Sequence, residues 1–196
     1  MRKWLGVICV FLGVLCILSA IGLVAYNRWE DENAEKIAQD LLEDVQSIIE
    51  EPQPELPLPD DTKMATVEVG GYDCIGILSV PVLDLELPVL TDWSYAKLKK
   101  APCHYYGSYY EKDFVIAAHN YKAHFGRLSE LQAGDVVVFT DVSGTAHYYE
   151  VVLLETLPKN ATQEMITSGF ALSLYTCTPG GASRVTVRCN AVKDSN

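Results

Sequence analysis

The sequence predicts a mainly β domain, folded as an antiparallel barrel or sandwich, behind an N-terminal membrane helix and a helical stalk. Three observations carry that reading. Residues 4–26 form an apolar run without a single charge, residues 29–51 are rich in helix formers, and from residue 65 onward short apolar or alternating runs recur between turn residues. Short strands punctuated in this way belong to sheets that close on themselves or pack face to face.

An apolar helix of about 20 residues crosses a hydrocarbon core about 30 Å thick, and the run from Trp4 to Tyr26 is long enough to do so. Arg2 and Lys3 precede it, whereas Arg28 behind it is followed at once by Glu30, Asp31 and Glu32. The basic N-terminal flank keeps that end in the cytoplasm and sends the body of the chain outward. A cleaved signal peptide would have a shorter apolar region, typically about 7–15 residues, ending in a small-residue site. Residues 1–28 are therefore expected to be a retained, single-pass anchor.

Behind the anchor, Ile37, Leu41, Leu42, Val45, Ile48 and Ile49 recur at the steps of a helical stripe. The stripe reads as an amphipathic helix packed on the domain or lying near the membrane, and it covers too few heptads for a dimerising coiled coil. Next comes EPQPELPLPDD, whose prolines make an extended, semi-rigid spacer. The expected organisation is an anchor at 1–28, a helical stalk and Pro-rich linker at 29–64, and a compact domain at 65–196, which is long enough for its own core. The net charge of -11 argues against nucleic-acid partners, whose phosphates would be repelled.

Strands are expected at 74–80, 85–90 (after Pro81), 114–118, 136–140 (after the turn pair Gly134-Asp135), 146–157, 171–176 and 185–192. Short helices fit near 94–100, 125–131 and 162–166. Of the six cysteines, Cys9 and Cys16 lie within the apolar run, and Cys74, Cys103, Cys177 and Cys189 are scattered without a CxxC pair. A structural zinc needs clustered ligands, so none is expected; a disulfide among Cys74, Cys103 and Cys189 is left open by the sequence.

Cys177 ends a strand-forming run in LSLYTCTPGG, where Pro179, Gly180 and Gly181 turn the chain. A thiol at a strand end beside a loop is open to a substrate, whereas a structural cysteine more often sits in mid-strand. A nucleophilic thiol needs a proton acceptor, usually histidine. In FVIAAHNYKAHFG, His119 directly caps a buried strand, with His124 a rival on the same loop, while His104 and His147 sit among tyrosines and read as surface or packing residues. Arg184 opens the last strand in SRVTVRC and could hold an oxyanion. Arg188 lies on the same sheet face, several ångströms further along. Taken singly, each of these residues has an ordinary structural explanation.

Their order and context together resemble the sortase family. The resemblance runs from about Tyr72 to Val192 and includes IGILSVPVLDLELPVL, AAHN, FGRLSELQAGDVVVFTD, LYTCTPGG and RVTV. It implies a closed β-barrel of about eight strands with short helices. It further implies His119, Cys177 and Arg184 as catalytic residues, with Thr176, just before the nucleophile, helping to shape the substrate groove. The implied reaction is transpeptidation. Cys177 attacks a sorting signal in a secreted protein, a thioester forms, and an amine from peptidoglycan or a pilin-like protein resolves it. That chemistry requires no metal or organic cofactor, and it sets the domain on the outer face of a Gram-positive-type membrane. The stalk lacks the Asp-Pro-aromatic motif of pilus-building members, and Asp92-Trp93 lies after the second strand without the proline, so an anchoring role is expected over pilin polymerisation. The competing readings are a membrane-tethered thiol protease that hydrolyses its substrate, and a non-catalytic surface binding domain.

Overall fold

The computed structural model describes residues 2–50 and 64–192. The Pro-rich spacer falls outside the described residues. Helix α1 runs Arg2–Glu50. The chain divides into two compact units, one ending at Asn33 and the other beginning at Ala34. In the first, the helix is long and apolar enough to cross a membrane, and none of its apolar window is buried against protein.

The second unit holds nine strands: β1 (Val67–Val69), β2 (Tyr72–Val80), β3 (Leu85–Leu90), β4 (Cys103–Tyr106), β5 (Phe114–Ala117), β6 (Val136–Asp141), β7 (Ala146–Pro158), β8 (Leu172–Cys177) and β9 (Ser183–Ala191). Two short helices, α2 (Tyr95–Leu98) and α3 (Thr162–Ile166), lie in the connections. The sheet order is β1-β2-β3-β4-β5-β8-β9-β7-β6, and a further β2–β6 pairing closes β2 through β9 into an eight-stranded barrel with β1 appended. The closed barrel of about eight strands is thus as expected. Its pairing, however, is mixed: β3–β4 and β5–β8 are parallel. Their long connections carry α2 and α3, which a hairpin turn has no room for.

Seven strands coincide with the runs expected from sequence to within two residues. β1 and β4 were not anticipated. β1 has three residues, and β4 is held between Pro102 and Gly107 with only Cys103 fully buried, so neither shows a long apolar alternation. β1 and β2 are joined by Gly70 and Gly71, both at positive φ (53° and 80°), as a two-residue hairpin loop requires. At Gly70 a Cβ would also stand 2.8 Å from the Leu41 side chain.

The barrel interior is filled by Leu78, Phe114, Ile116, Phe125, Phe139, Leu172, Leu174 and Val187. Closure takes place at Gly76, whose φ of 154° and hypothetical Cβ 2.2 Å from the Thr140 carbonyl oxygen leave no space for a side chain. A second cluster lies outside the barrel wall. Leu41 and Val45 of α1 are buried there with Val69, Cys74, Ile77, Leu90, Ala101 and Cys103, and Ile37, Leu42, Ile48 and Ile49 pack at its margin. The helical stripe therefore packs on the domain, one of the two roles its sequence allowed.

This packing has a measurable consequence. Burying one Leu or Val side chain contributes about 1.5–3 kcal/mol, against a total of about 5–15 kcal/mol for a typical domain. The sequence division at residue 65 treats the stalk as dispensable for folding. With Leu41 and Val45 buried, a chain beginning at Ala65 is expected to melt well below one beginning at Ala34, or to bind hydrophobic dyes. Equal melting temperatures for the two chains would show that the helix adds nothing.

β5 and β8 run in one direction and β9 in the other, so the ends of β5 and β8 meet the start of β9 at one rim. The opposite rim is tied by Asp141. Its Oδ1 accepts from Ser143 N–H, Ser143 Oγ–H and Thr145 N–H, and its Oδ2 lies 3.0 Å from His147 Nε2. Burial alone would raise the Asp141 pKa, but the bonds from His147, Ser143 and Thr145 outweigh it and hold the carboxyl below its ordinary range. A lowered folded-state value means that the stabilisation is complete above the unfolded value of about 4. It is lost as pH falls through the folded value. Asp141→Asn is expected to lower the melting temperature at pH 6, by the equivalent of about 1–3 kcal/mol, with the gap narrowing as both proteins are taken towards pH 2. A gap that stays constant with pH would refute the ionic account.

Candidate active site

Cys177 ends β8, and its register partner across the β8–β9 ladder is Arg184. The connection between them is short and internally bonded. Thr178 N–H donates to the Ser183 carbonyl at 3.0 Å, Ser183 N–H donates to Thr178 Oγ1 at 3.1 Å, and Gly181 N–H donates to the Thr178 carbonyl at 2.8 Å. Gly180 and Gly181 take positive φ to make this turn. It fixes the register that brings the thiol strand and the guanidinium strand together. Arg184 Nη1–H donates to the Gly181 and Ser183 carbonyls, which aligns the side chain along this rim.

On the other side of β8, the parallel β5 pairs Ala117 with Tyr175, and the Ala118 N–H continues the ladder to the Tyr175 carbonyl at 3.2 Å. His119 follows two residues after Ala117, past the end of β5, at the rim where β8 ends in Cys177. Cys177 and Arg184 are thus register partners at one rim, and His119 follows the strand that pairs with β8 on its other side. His119 is half-buried; its Nδ1 lies 3.1 Å from Asn120 Oδ1, and its ring stacks on Tyr121 at 4.1 Å and 13°. The rival His124 is completely buried. His147 pairs with Asp141 at the far rim, and His104 lies between the Thr91 and Gly107 carbonyls.

Thr176 sits between Tyr175 and Cys177, and the strand pleat turns it to the opposite face. It is buried, and its Oγ1–H donates to the Ala118 carbonyl at 2.9 Å, tying β8 to the chain that leads into His119. Neither Thr176 nor His119 is among the residues that line the cleft beside Cys177.

A cleft of about 130 Å³ opens beside Cys177 and Arg184. One wall is aromatic: Trp93 packs 5.6 Å from Tyr105, and Tyr105 packs edge-on to Tyr175 at 5.4 Å. The other is formed by Pro158, Lys159 and α3, through Ala161, Thr162 and Met165. Sequence reasoning missed these walls. For Tyr175 the signal was available, since two positions before Cys177 on a strand means the same face. Trp93 and Tyr105 come from a connection whose path depends on the parallel β3–β4 pairing.

Among the described residues all six cysteines are free thiols. Cys74 and Cys103 both pair with Leu90, from opposite sides. They are thus two strand spacings, roughly 10 Å, apart at Cα, beyond disulfide reach. Burial pushes the thiols of Cys74, Cys103 and Cys189 up to about 12, so they stay protonated at neutral pH. Cys177 is the partly exposed thiol of the barrel.

A mixed barrel that opens at one rim onto a partly exposed cysteine, with a histidine strand on one side and an arginine strand on the other, belongs to the class of β-barrel thiol enzymes. Comparison with known proteins narrows this. A family model described as Sortase domain matches residues 78–192, and the chain belongs to the sortase family of cysteine transpeptidases. The fold is similar to that of the sortase D5 transpeptidase of Clostridium perfringens, with a TM-score of 0.63 and 16% identity over 81% of this chain and 99% of that one. It is also similar to sortase C of Streptococcus pneumoniae, with a TM-score of 0.56 and 21% identity over 84% and 89%. For sortase A of Corynebacterium diphtheriae the TM-score is 0.56, with 20% identity over 88% and 94%. No protein of curated function is matched in sequence.

Proposed function

We propose that Cys177, His119 and Arg184 carry the transpeptidation, acting on a sorting signal near the C-terminus of secreted proteins. The single observation that supports this most is the register pairing of Cys177 with Arg184 at the rim to which β5 leads His119. The Cys177 thiolate attacks the scissile carbonyl carbon. A C–S bond forms, and the carbonyl π pair moves to oxygen, where the Arg184 guanidinium stabilises it. As that pair returns, the C–N bond breaks and the leaving amine takes a proton from the His119 imidazolium. In the second half, an amine attacks the thioester, gives its proton to His119 and expels the Cys177 thiolate. Thr176 acts by holding the β5 end against β8 rather than by touching substrate.

The acceptor in this reading is an amine of peptidoglycan or of another surface protein. The single apolar helix holds the enzyme in the membrane with its N-terminus inside and the barrel outside, next to substrates as they emerge. Protein anchoring is favoured over pilin polymerisation, because no Asp-Pro-aromatic lid motif precedes the barrel. The test is intact-mass spectrometry of the enzyme with a panel of sorting-signal peptides, with and without hydroxylamine as acceptor. A thioester adduct that hydroxylamine converts to a hydroxamate supports transpeptidation. An adduct resolved by water alone, at the same rate with or without the amine, would make the enzyme an endopeptidase. No adduct with any peptide would remove Cys177 as a peptide-directed nucleophile.

A further inference from the structure

Arg188 is 1% exposed, the largest fully buried side chain among the described residues. Taking a guanidinium out of water costs several kcal/mol unless its donors are satisfied. Here they are. Nε–H donates to Glu155 Oε1 at 2.7 Å, and Nη1–H to Ser173 Oγ at 2.8 Å and to the Met165 carbonyl at 3.3 Å. Nη2–H donates to the Glu164 carbonyl at 2.8 Å, and the guanidinium lies 5.9 Å from the Phe170 ring centre. The pleat turns its β9 neighbours Val187 and Cys189 into the barrel core and Arg188 to the opposite face, against α3.

What the charge adds is a grip on α3. That helix has five residues, too few to be stable alone. The Glu164 and Met165 carbonyls lie at its C-terminal end, where no intrahelical donor reaches them. Arg188 supplies both donors from the barrel side, while Glu155 on β7 and Ser173 on β8 hold the guanidinium from behind. The same short segment presents Ala161, Thr162 and Met165 to the cleft beside Cys177. Arg188 itself pairs with Ser173, four residues along the ladder from Cys177–Arg184, which is roughly 13 Å along the strand between Cα atoms.

We propose that Arg188 is a positioning residue for substrate recognition: through the α3 carbonyls it fixes the cleft wall against which the peptide binds, and it sets peptide affinity rather than the rate of chemistry. This rests on the transpeptidase reading of the cleft. Arg188→Lys keeps a buried cation but lacks the planar fork that serves Ser173 and two carbonyls at once. Three measurements are made on Arg188→Lys and, as a milder change that removes one acceptor, on Ser173→Ala. They are hydrogen exchange of the amides at 162–167, the rate of Cys177 alkylation by iodoacetamide, and KM and kcat with the panel peptides that the wild type converts.

In Arg188→Lys, exchange at 162–167 is expected to accelerate and KM to rise by about 10-fold, as loss of one or two hydrogen bonds' worth of uniform binding gives, with alkylation and kcat little changed. Ser173→Ala should move the same readouts less. A lowered melting temperature with unchanged KM and unchanged exchange at 162–167 would reduce Arg188 to a structural role. A fall in kcat and alkylation at constant KM would place its influence on the thiol instead. If the wild type converts no peptide, it is the transpeptidase reading that fails; if the wild type is active and both variants keep its KM, it is this inference.

Discussion

Cys177→Ala is expected to give a folded protein that forms no adduct with any sorting peptide. Removing the nucleophile from a catalytic unit costs on the order of 10⁶ in kcat, which puts residual turnover below detection. Folding should be untouched, because Cys177 is only half-buried at a strand end and its removal opens no core cavity. The other barrel thiols form the control. Cys74, Cys103 and Cys189 are fully buried, and burial keeps them protonated. Replacing each with Ala should lower stability by about 1 kcal/mol through a small cavity, yet leave transfer measurable. An adduct that persists in Cys177→Ala, or that vanishes in a well-folded Cys189→Ala, would require a different nucleophile.

Arg184→Ala is expected to slow thioester formation by about 10² or more, the usual cost of losing one oxyanion donor and equivalent to about 2.7 kcal/mol. The far-ultraviolet circular dichroism should not change, since the residue is only partly buried and its bonds go to its own turn. Arg184→Lys should rescue poorly, because an ammonium cannot both bind the turn carbonyls and present a second donor in plane. The contrast with Arg188 is diagnostic. Arg188→Ala removes a fully buried partner from Glu155 and two carbonyls, so its main effect should be lost stability, with thermal unfolding shifted several degrees downward. If Arg188→Ala folds normally and abolishes the chemical step while Arg184→Ala is mild, the catalytic arginine has been assigned to the wrong end of β9.

The strands were legible where most of an apolar run is buried. β2, β3 and β8 are of this kind, and their apolar runs gave them away. β4 was not, since a four-residue segment of Cys, His and two Tyr owes its conformation to pairing with β5 rather than to its own pattern. The two parallel contacts were invisible for a related reason: alternation reports which face is buried, never which strand lies alongside. Cys177 and His119 stand out as candidates in the sequence because each comes at the end of a strand run beside a turn. Thr176 adjoins Cys177 in sequence, yet the pleat turns it to the opposite face, where it is buried. The surroundings of Arg184 and Arg188 separate only once α3 is seen over β9, since in sequence the two differ by four positions on one strand.

The seam between β2 and β6 has a kinetic consequence. It joins Gly76–Ser79 to Val138–Asp141 by four residue pairs, across some sixty residues of intervening chain. Such non-local pairings form late, because loop closure is costly before any contact repays it. Until they form, β2 and β6 are open edges, each with unpaired donors and acceptors along an apolar strand. In the finished barrel β2 and β6 cover one another over these four pairs, so the protection of these two edges against self-association depends on the last ladder to form. Mild denaturant or a side chain at Gly76 should therefore lead first to chains pairing with one another through these two strands, and only at higher denaturant to a monomeric unfolded state.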